Sequence, residues 1–486
     1  MKKNLLKRIV EKFPYLENES ELDSLPYVGY FAGTNDFSPR IHKVKEFYEV
    51  KSDLSYYSNI YSLTSGDPMK YPPFPPAIKL IKKVLHGKEI YRYPQTTGSD
   101  NFKEKVLEYF LKMGINDITT KNISFINSTT HALVTIIELI SKPGDVIITT
   151  APSYGLFSLI PERLGVRVEL IDLKAEEDWI INTTALEQLI KKVNKKIGKN
   201  NRIVAFLNQN PNNPLGKVLG PKQEEVLKKI GDICIKNDMY IIDDLVYRDI
   251  TFDQSNIALP IATFPGISQN VISLFGISKS YGLAGIRGGV ILANEYINKL
   301  VKDKIFQTMD SISILTAAAI AGSFNSNKQT KNQYKKYFSK LINEYKYKYQ
   351  LFKALINGLE SIKDKEMRNR IYYDIGRNCE SKKKLKKILN GNDKISLIDN
   401  LEVESGFFTL LDLTKIKEKK YKNYIINSEI DLFKYLYDEG KTKVICGQGM
   451  LWPKEDELII RVTFAVDNNL LIKTIISIID AVDKLS

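Results

Sequence analysis

Between residues 120 and 293, short apolar runs alternate with stretches of helical periodicity, and this alternation leaves the chain few folds to choose from. The strand candidates are Ile123–Ile126, Val146–Thr150, Val166–Leu170, Ile203–Leu207, Met239–Asp243, Val271–Phe275 and Gly289–Ala293. Helical patterns such as Thr130–Ile140, Leu186–Ile197 and Glu224–Asn237 lie between them. Runs that are apolar throughout belong to strands covered on both faces. Repeated βα units therefore predict an α/β fold with a mostly parallel seven-stranded sheet and helices on both faces. Ligands of such sheets sit at the carboxyl ends of strands. Beyond about residue 315 the pattern becomes a long helix, Asn332–Gly358, two strand-like runs, Leu401–Leu413 and Leu458–Phe464, and a closing helix, Leu470–Lys484. That change predicts a smaller α+β domain.

Composition excludes several classes. The chain has 486 residues and a formal charge of +14, but its lysines are spread along its whole length rather than gathered in one patch. The densest stretch, Lys363–Lys394, holds eleven Lys/Arg against five Asp/Glu and reads as a solvated helix face, so nucleic acid is not the expected partner. Cys234, Cys379 and Cys446 are three in number and widely spaced, which predicts a reducing compartment and no disulfide framework. With only His42, His86 and His131 available, a histidine metal cluster is not expected. Lys7, Arg8, Glu11 and Lys12 interrupt the N-terminal apolar residues, leaving no signal-peptide core. Ser311–Phe324, the longest mostly apolar run, is too short to span a bilayer and reads as a buried helix. The expected location is the cytoplasm.

Chemistry-bearing residues fall on the loops that follow predicted strands. Lys279 lies in Ser278-Lys279-Ser280-Tyr281-Gly282-Leu283-Ala284-Gly285-Ile286-Arg287. An amine nucleophile, a glycine-rich turn and a guanidinium suit an aldehyde cofactor that carries a phosphate, although an ordinary exposed loop would have the same composition. Ser128 and Thr129 open a helix after the first strand, where free N–H groups make either a phosphate cradle or a plain N-cap. Tyr154 follows the second strand and offers a ring to lie over a flat heteroaromatic ligand or to fill the core. The Asn-Pro steps of Asn210–Gly216 stiffen a turn that can fix the Asn213 amide against a ligand oxygen. Asp243 and Asp244 end a strand and point to opposite faces, so one of them can pair with a protonated ring nitrogen. Arg461 is a lone cation in the apolar run Leu458–Phe464, costly unless a substrate carboxylate or a structural partner satisfies it.

In this order the segments resemble the class I/II aminotransferases, fold-type I enzymes that use pyridoxal 5′-phosphate. The likeness is carried by the phosphate-cradle helix, Pro152-Ser153-Tyr154, Asn213-Pro214-Leu215-Gly216, Asp244 with Tyr247 three residues later, the Lys279–Arg287 stretch and Arg461. It implies that Lys279 forms a Schiff base with the coenzyme and later moves the proton at the substrate α-carbon. It implies that Asp244 pairs with the pyridine nitrogen, that Tyr247 and Asn213 bond the ring 3′-oxygen, and that Tyr154 stacks on the ring. Ser128, Thr129, Ser278 and Arg287 would hold the phosphate, joined by Tyr93 from a neighbouring subunit, so the unit implied is a homodimer with shared sites. Arg461, with backbone at Gly66 and the Asn213 side chain, would bind an L-amino acid or 2-oxo acid carboxylate. The implied architecture is a large coenzyme-binding domain, 71–314, and a small domain from residues 1–70 and 315–486 with a lysine-rich insertion near 361–400. The implied reaction is transamination by a ping-pong cycle; elimination, decarboxylation or oxidation of an amino acid is the alternative use of the same coenzyme. Gly276, Leu215 and Leu245 stand where this family usually has serine, threonine, and glutamate or serine, a departure that bears on phosphate affinity.

Overall fold

Seven strands form the central sheet of the computed structural model, which describes residues 61–64, 68, 71–325 and 328–486. After β1 (Tyr61–Ser62) come β2 (Ile123–Ile126), β3 (Val146–Ala151), β4 (Arg167–Asp172), β5 (Ile203–Gln209), β6 (Tyr240–Asp244), β7 (Val271–Gly276) and β8 (Gly289–Leu292). The order across the sheet is β2-β8-β7-β6-β5-β3-β4. All of these pairs are parallel except the two made by β8. Two antiparallel steps in succession return β2 to the direction of β7. The chain therefore leaves all six strands from β2 to β7 on one edge of the sheet, and the loops after β2, β3, β5, β6 and β7 converge there.

The burial pattern explains why these runs are apolar throughout. On β7, Val271 and Phe275 enter one hydrophobic core while Ile272 and Leu274 enter another. On β8, Val290 and Leu292 face the first and Ile291 the second. Side chains that alternate across a strand thus meet helices on both sides. The helix Thr129–Ile140 closes the second core with Leu133, Ile136 and Ile137, each contributing about 1.5–3 kcal/mol by leaving water.

The second sheet is antiparallel, in the order β14-β15-β10-β9, with β9 at Ser396–Leu397, β10 at Phe408–Asp412, β14 at Ile445–Cys446 and β15 at Ile459–Thr463. A small hairpin joins β11 (Lys420–Tyr421) to β12 (Tyr424–Ile425), and β1 pairs in parallel with β13 (Thr442–Lys443). The Leu63 carbonyl accepts the Thr463 N–H at 3.0 Å, which lays the residue 61–64 segment beside β15. The expected strand over Leu401–Leu413 is shorter than its composition implied. Val403, Ser405 and Phe407 are buried without joining a ladder, and pairing begins at Phe408. The basic stretch is also less free than a solvated face. In the helix Lys382–Leu389, Lys384 pairs with Asp480 at 2.6 Å and Lys387 pairs with Asp483, fastening it to the helix Asn468–Asp483. Among the described residues no helix is long and apolar enough to cross a membrane.

Ser311–Phe324 holds the expected buried helix, Ile314–Ser323, which packs on the helix Pro75–Leu85. The contact closes at Gly322, where an added Cβ would lie 2.7 Å from the Ala77 Cα and 3.1 Å from the Pro76 carbonyl oxygen. Helix propensity alone favours Gly322→Ala by about 1 kcal/mol. Backbone cannot move aside as a flexible side chain can, so overpacking wins, at a net cost of about 1–3 kcal/mol. Urea unfolding of Gly322→Ala should show a lower midpoint at unchanged slope; a raised midpoint would contradict this packing.

Candidate active site

The five loops at the carboxyl edge of the sheet enclose a cavity of about 280 Å³, closed on its other side by β10, β14 and β15. Ser128, Thr129, Tyr154, Asn213, Asp244, Tyr247, Ser278, Lys279, Arg287 and Arg461 all line it. They arrive from several separate segments of chain, which is why no short motif describes the site.

The turn after β2 brings the helix Thr129–Ile140 in with its N-terminus toward the cavity. Ser128 caps that helix, its Oγ accepting the His131 N–H at 3.2 Å. Its φ of 113° is unusual for a residue with a Cβ, and the neighbouring strand accommodates it with bare backbone. A Cβ on Gly289 would come within 3.1 Å of the Thr129 nitrogen. The remaining N–H groups of the first turn favour an anion. Arg287 stands on the same cavity with its Nη1 donating to the Ala284 carbonyl at 3.0 Å.

Gly276, at the end of β7, has a packing reason. A Cβ there would meet Val246 Cγ2 at 2.7 Å and Thr129 Cγ2 at 3.1 Å. Val246 itself lines the cavity and fills the space that a serine at 276 would need.

The two aspartates divide as strand geometry requires. Asp243 accepts from Asn208 Nδ2 at 2.8 Å and from the Ile261 N–H at 2.9 Å, and it does not line the cavity. Asp244 does, with Oδ1 accepting the Val246 N–H at 3.0 Å. Burial pushes the Asp244 carboxyl up to about 7, against the Val246 N–H bond, a hydrogen bond from Gln209 and the nearby Lys279 charge, which all pull it down. A carboxylate made this reluctant to ionise is stabilised by any cation placed beside it.

Arg461 comes from the middle of β15, where it is 5% exposed and faces Leu410 and Ile445 across the ladders. Its guanidinium lies 4.0 Å above the centre of the Phe408 ring. Nη1 donates to Asn213 Oδ1 at 2.9 Å and Nη2 to the Thr64 carbonyl at 3.1 Å. These partners hold the fork in place, and an incoming carboxylate would be gripped bidentately. Asn213, which turns its Oδ1 to Arg461, keeps its Nδ2 as a donor, and its own N–H is fixed by Gln209 Oε1 at 2.9 Å.

One expected residue is not on the cavity of this chain. Tyr93 is 91% exposed and lines no part of it. Gly66 lies outside the described residues, although Thr64, two positions earlier, is on the wall. Sequence reading missed Gln209, Thr64, Phe408 and Ile445. Gln209 had a usable signal, since it lies two residues beyond a predicted strand and one residue before the Asn-Pro turn. Phe408 and Ile445 had none, because they reach Arg461 only through strand register.

Comparison with known proteins agrees with this layout. The family model for aminotransferase class I and II matches residues 58–478. Tyrosine aminotransferase of Bos taurus is 25% identical over 237 residues, covering 48% of this chain and 50% of that protein. LL-diaminopimelate aminotransferase of Nitratidesulfovibrio vulgaris (strain DP4) is 27% identical over 269 residues, 53% of this chain and 65% of that protein. The chain thus spans between half and two thirds of the length of these relatives. Among solved structures, aspartate aminotransferase from Rhizobium meliloti superposes with a TM-score of 0.70 at 17% identity, over 93% of this chain and 100% of that one. The Thermus thermophilus aspartate aminotransferase with maleate gives 0.69 at 16% identity, over 92% and 100%. The structural likeness speaks for the fold, and the family match, which takes in most of the chain, settles the membership: this protein belongs to the class I and II aminotransferases.

Proposed function

We propose that the chain is a pyridoxal 5′-phosphate-dependent aminotransferase, moving an amino group between an L-amino acid and a 2-oxo acid by a ping-pong cycle. The observation that supports this most is the meeting of Lys279, Asp244 and Arg461 around one cavity. The residues present fit the coenzyme. A buried carboxylate with a raised pKa suits a cationic ring nitrogen, and a helix N-terminus with Arg287 suits a phosphate. When bound, the coenzyme supplies an aldehyde that captures amines and a ring that takes up the electron pair left at an α-carbon.

On this reading Lys279 is the covalent anchor, and its freed amine takes and returns the proton at the substrate α-carbon. Asp244 keeps the ring nitrogen protonated. Tyr247 and the Asn213 Nδ2 hold the 3′-oxygen, and Tyr154 covers the ring face. Ser128, Thr129, Ser278 and Arg287 hold the phosphate. Arg461, stiffened by Asn213, Thr64 and Phe408, orients the substrate through its carboxylate, with backbone near Gly66 assisting.

The assembly proposed is a homodimer in which exposed Tyr93 reaches the partner's coenzyme phosphate. The division proposed is a large domain, 71–314, and a small domain from 1–70 and 315–486. Cys234, Cys379 and Cys446 are free thiols, which favours a cytoplasmic setting.

Coenzyme-loaded protein mixed with amino acid alone, screened across the common amino acids, should release about one 2-oxo acid per site and stop until an oxo acid is added. Continuous release of ammonia or carbon dioxide without an acceptor would replace transamination by elimination, oxidation or decarboxylation. A second test uses Asp244 before coenzyme is bound. Its folded pKa, about 7, lies above the ordinary carboxylate value, so the folded state holds the proton more tightly than the unfolded one. Stability from this position therefore falls as pH rises from about 4 to about 7. In the coenzyme-free protein, Asp244→Asn should gain Tm relative to wild type across that range. A flat difference between the two would contradict the burial described for this carboxylate.

A further inference from the structure

Asp249 is a buried carboxylate that lies outside the cavity and has no role in the chemistry assigned above. It sits on a short 3-10 turn, Arg248–Ile250, directly after Tyr247. Its Oδ1 accepts from Tyr109 OH at 2.8 Å and from Arg248 Nη1 at 3.0 Å, and its Oδ2 accepts from Tyr281 OH at 2.8 Å. Tyr109 OH also meets Tyr334 OH at 3.5 Å. Burial holds the Tyr109 and Tyr281 hydroxyls far above their usual pKa, so both remain donors at any working pH.

One of those donors has particular consequence. Tyr281 is two residues beyond Lys279, fully buried, with its ring set edge-on against Phe74, Phe324 and Phe338. Between them, Ser280 Oγ donates to the Val246 carbonyl at 3.4 Å. Consecutive residues after Lys279 are thus tied to the segment that carries Asp244, Val246 and Tyr247. The Tyr281 carbonyl is fixed as well, by the Phe74 N–H at 3.0 Å. Lys279 lies on a loop with Gly282 at φ +66°, where the backbone has no regular ladder to define its path. Hydrogen bonds to a charged group are stronger than neutral ones, and a carboxylate has lone pairs enough to bind several hydroxyls at once.

We propose that Asp249 is a positioning residue, clamping the Lys279 loop to the Asp244–Tyr247 segment through the Tyr281 hydroxyl. This rests on the reading of Lys279 as the coenzyme anchor. The Asp244 carboxylate ends β6 and the Lys279 amine lies on the loop after β7, so their separation across one coenzyme matters to within an ångström. The Asp249–Tyr281 bond sets that separation from outside the pocket, out of reach of substrate.

Asp249 itself is a poor place to test the idea. Its loss would strand the Arg248 guanidinium, whose buried Nε already finds no acceptor among the described residues. The two tyrosines provide an internal control, because both donate to the same carboxylate and only one belongs to the lysine loop. Tyr281→Phe and Tyr109→Phe would be loaded with coenzyme and compared for kcat, for KM and for the pH titration of the bound coenzyme's absorption. Tyr281→Phe should lower kcat about tenfold with KM within about twofold, and move the absorption midpoint by at least about half a pH unit. Tyr109→Phe should leave kcat and the midpoint near wild type while lowering Tm about as much as its counterpart does. Equal kinetic effects from the two variants, or a Tyr281→Phe enzyme with wild-type kcat and midpoint, would overturn the clamp. Wild-type protein that binds coenzyme away from Lys279 would instead bring down the functional reading, and the clamp with it.

Discussion

A carboxylate taken out of water needs a cation, and the site is organised around that demand. Asp244 ends a strand in the middle of the sheet, where both faces are covered and little solvent reaches it. Left alone, it is driven toward its neutral form. The chain sets Lys279 near it and lines a cavity beside it, and on the proposed reading a positively charged ring nitrogen would restore the ionised form. Binding free energy then depends on electrostatics that are prepared before the ligand arrives, with little rearrangement required of the protein.

The same economy appears at the opposite wall. Arg461 is as deeply buried, and its Nη1, Nη2 and flat face meet an amide oxygen, a backbone carbonyl and an aromatic ring. A carboxylate in one of those positions would have cancelled the charge. Asn213 links the two halves of the cavity, since its oxygen serves Arg461 while its backbone is fixed by Gln209, the residue that also bonds Asp244. Asp244 and Arg461 are thus linked through Gln209 and Asn213.

Much of this was legible before any coordinates. Long-range order in a parallel sheet leaves a plain mark, because strands buried on both faces must be apolar at successive positions; the seven runs appear in the structure within about two residues of their expected ends. The site loops follow from that, since six of those strands finish on one edge and five of the loops after them reach the cavity. Asp244 rather than Asp243 was assigned by resemblance, and strand alternation gives it a physical reason. What stayed hidden depends on register and on contacts distant in sequence. Phe408 and Ile445 touch Arg461 only because β10 and β14 pair with β15 in one particular alignment. Apolar composition over 401–413 resembled one long strand because burial alone, without ladder pairing, selects the same residues. Gly276 looked like a lost phosphate contact until Val246 was seen to occupy the space. The Lys382–Leu389 helix looked like free charge, whereas part of it is docked through Asp480 and Asp483.

One covalent bond tests the account most directly. Coenzyme-loaded, folded protein would be reduced with borohydride, digested, and its peptides mapped by mass. The arrangement of Asp244, Tyr247 and Arg461 around a single amine predicts one stably labelled residue, Lys279. Label on a different lysine, or none on fully loaded protein, would contradict it.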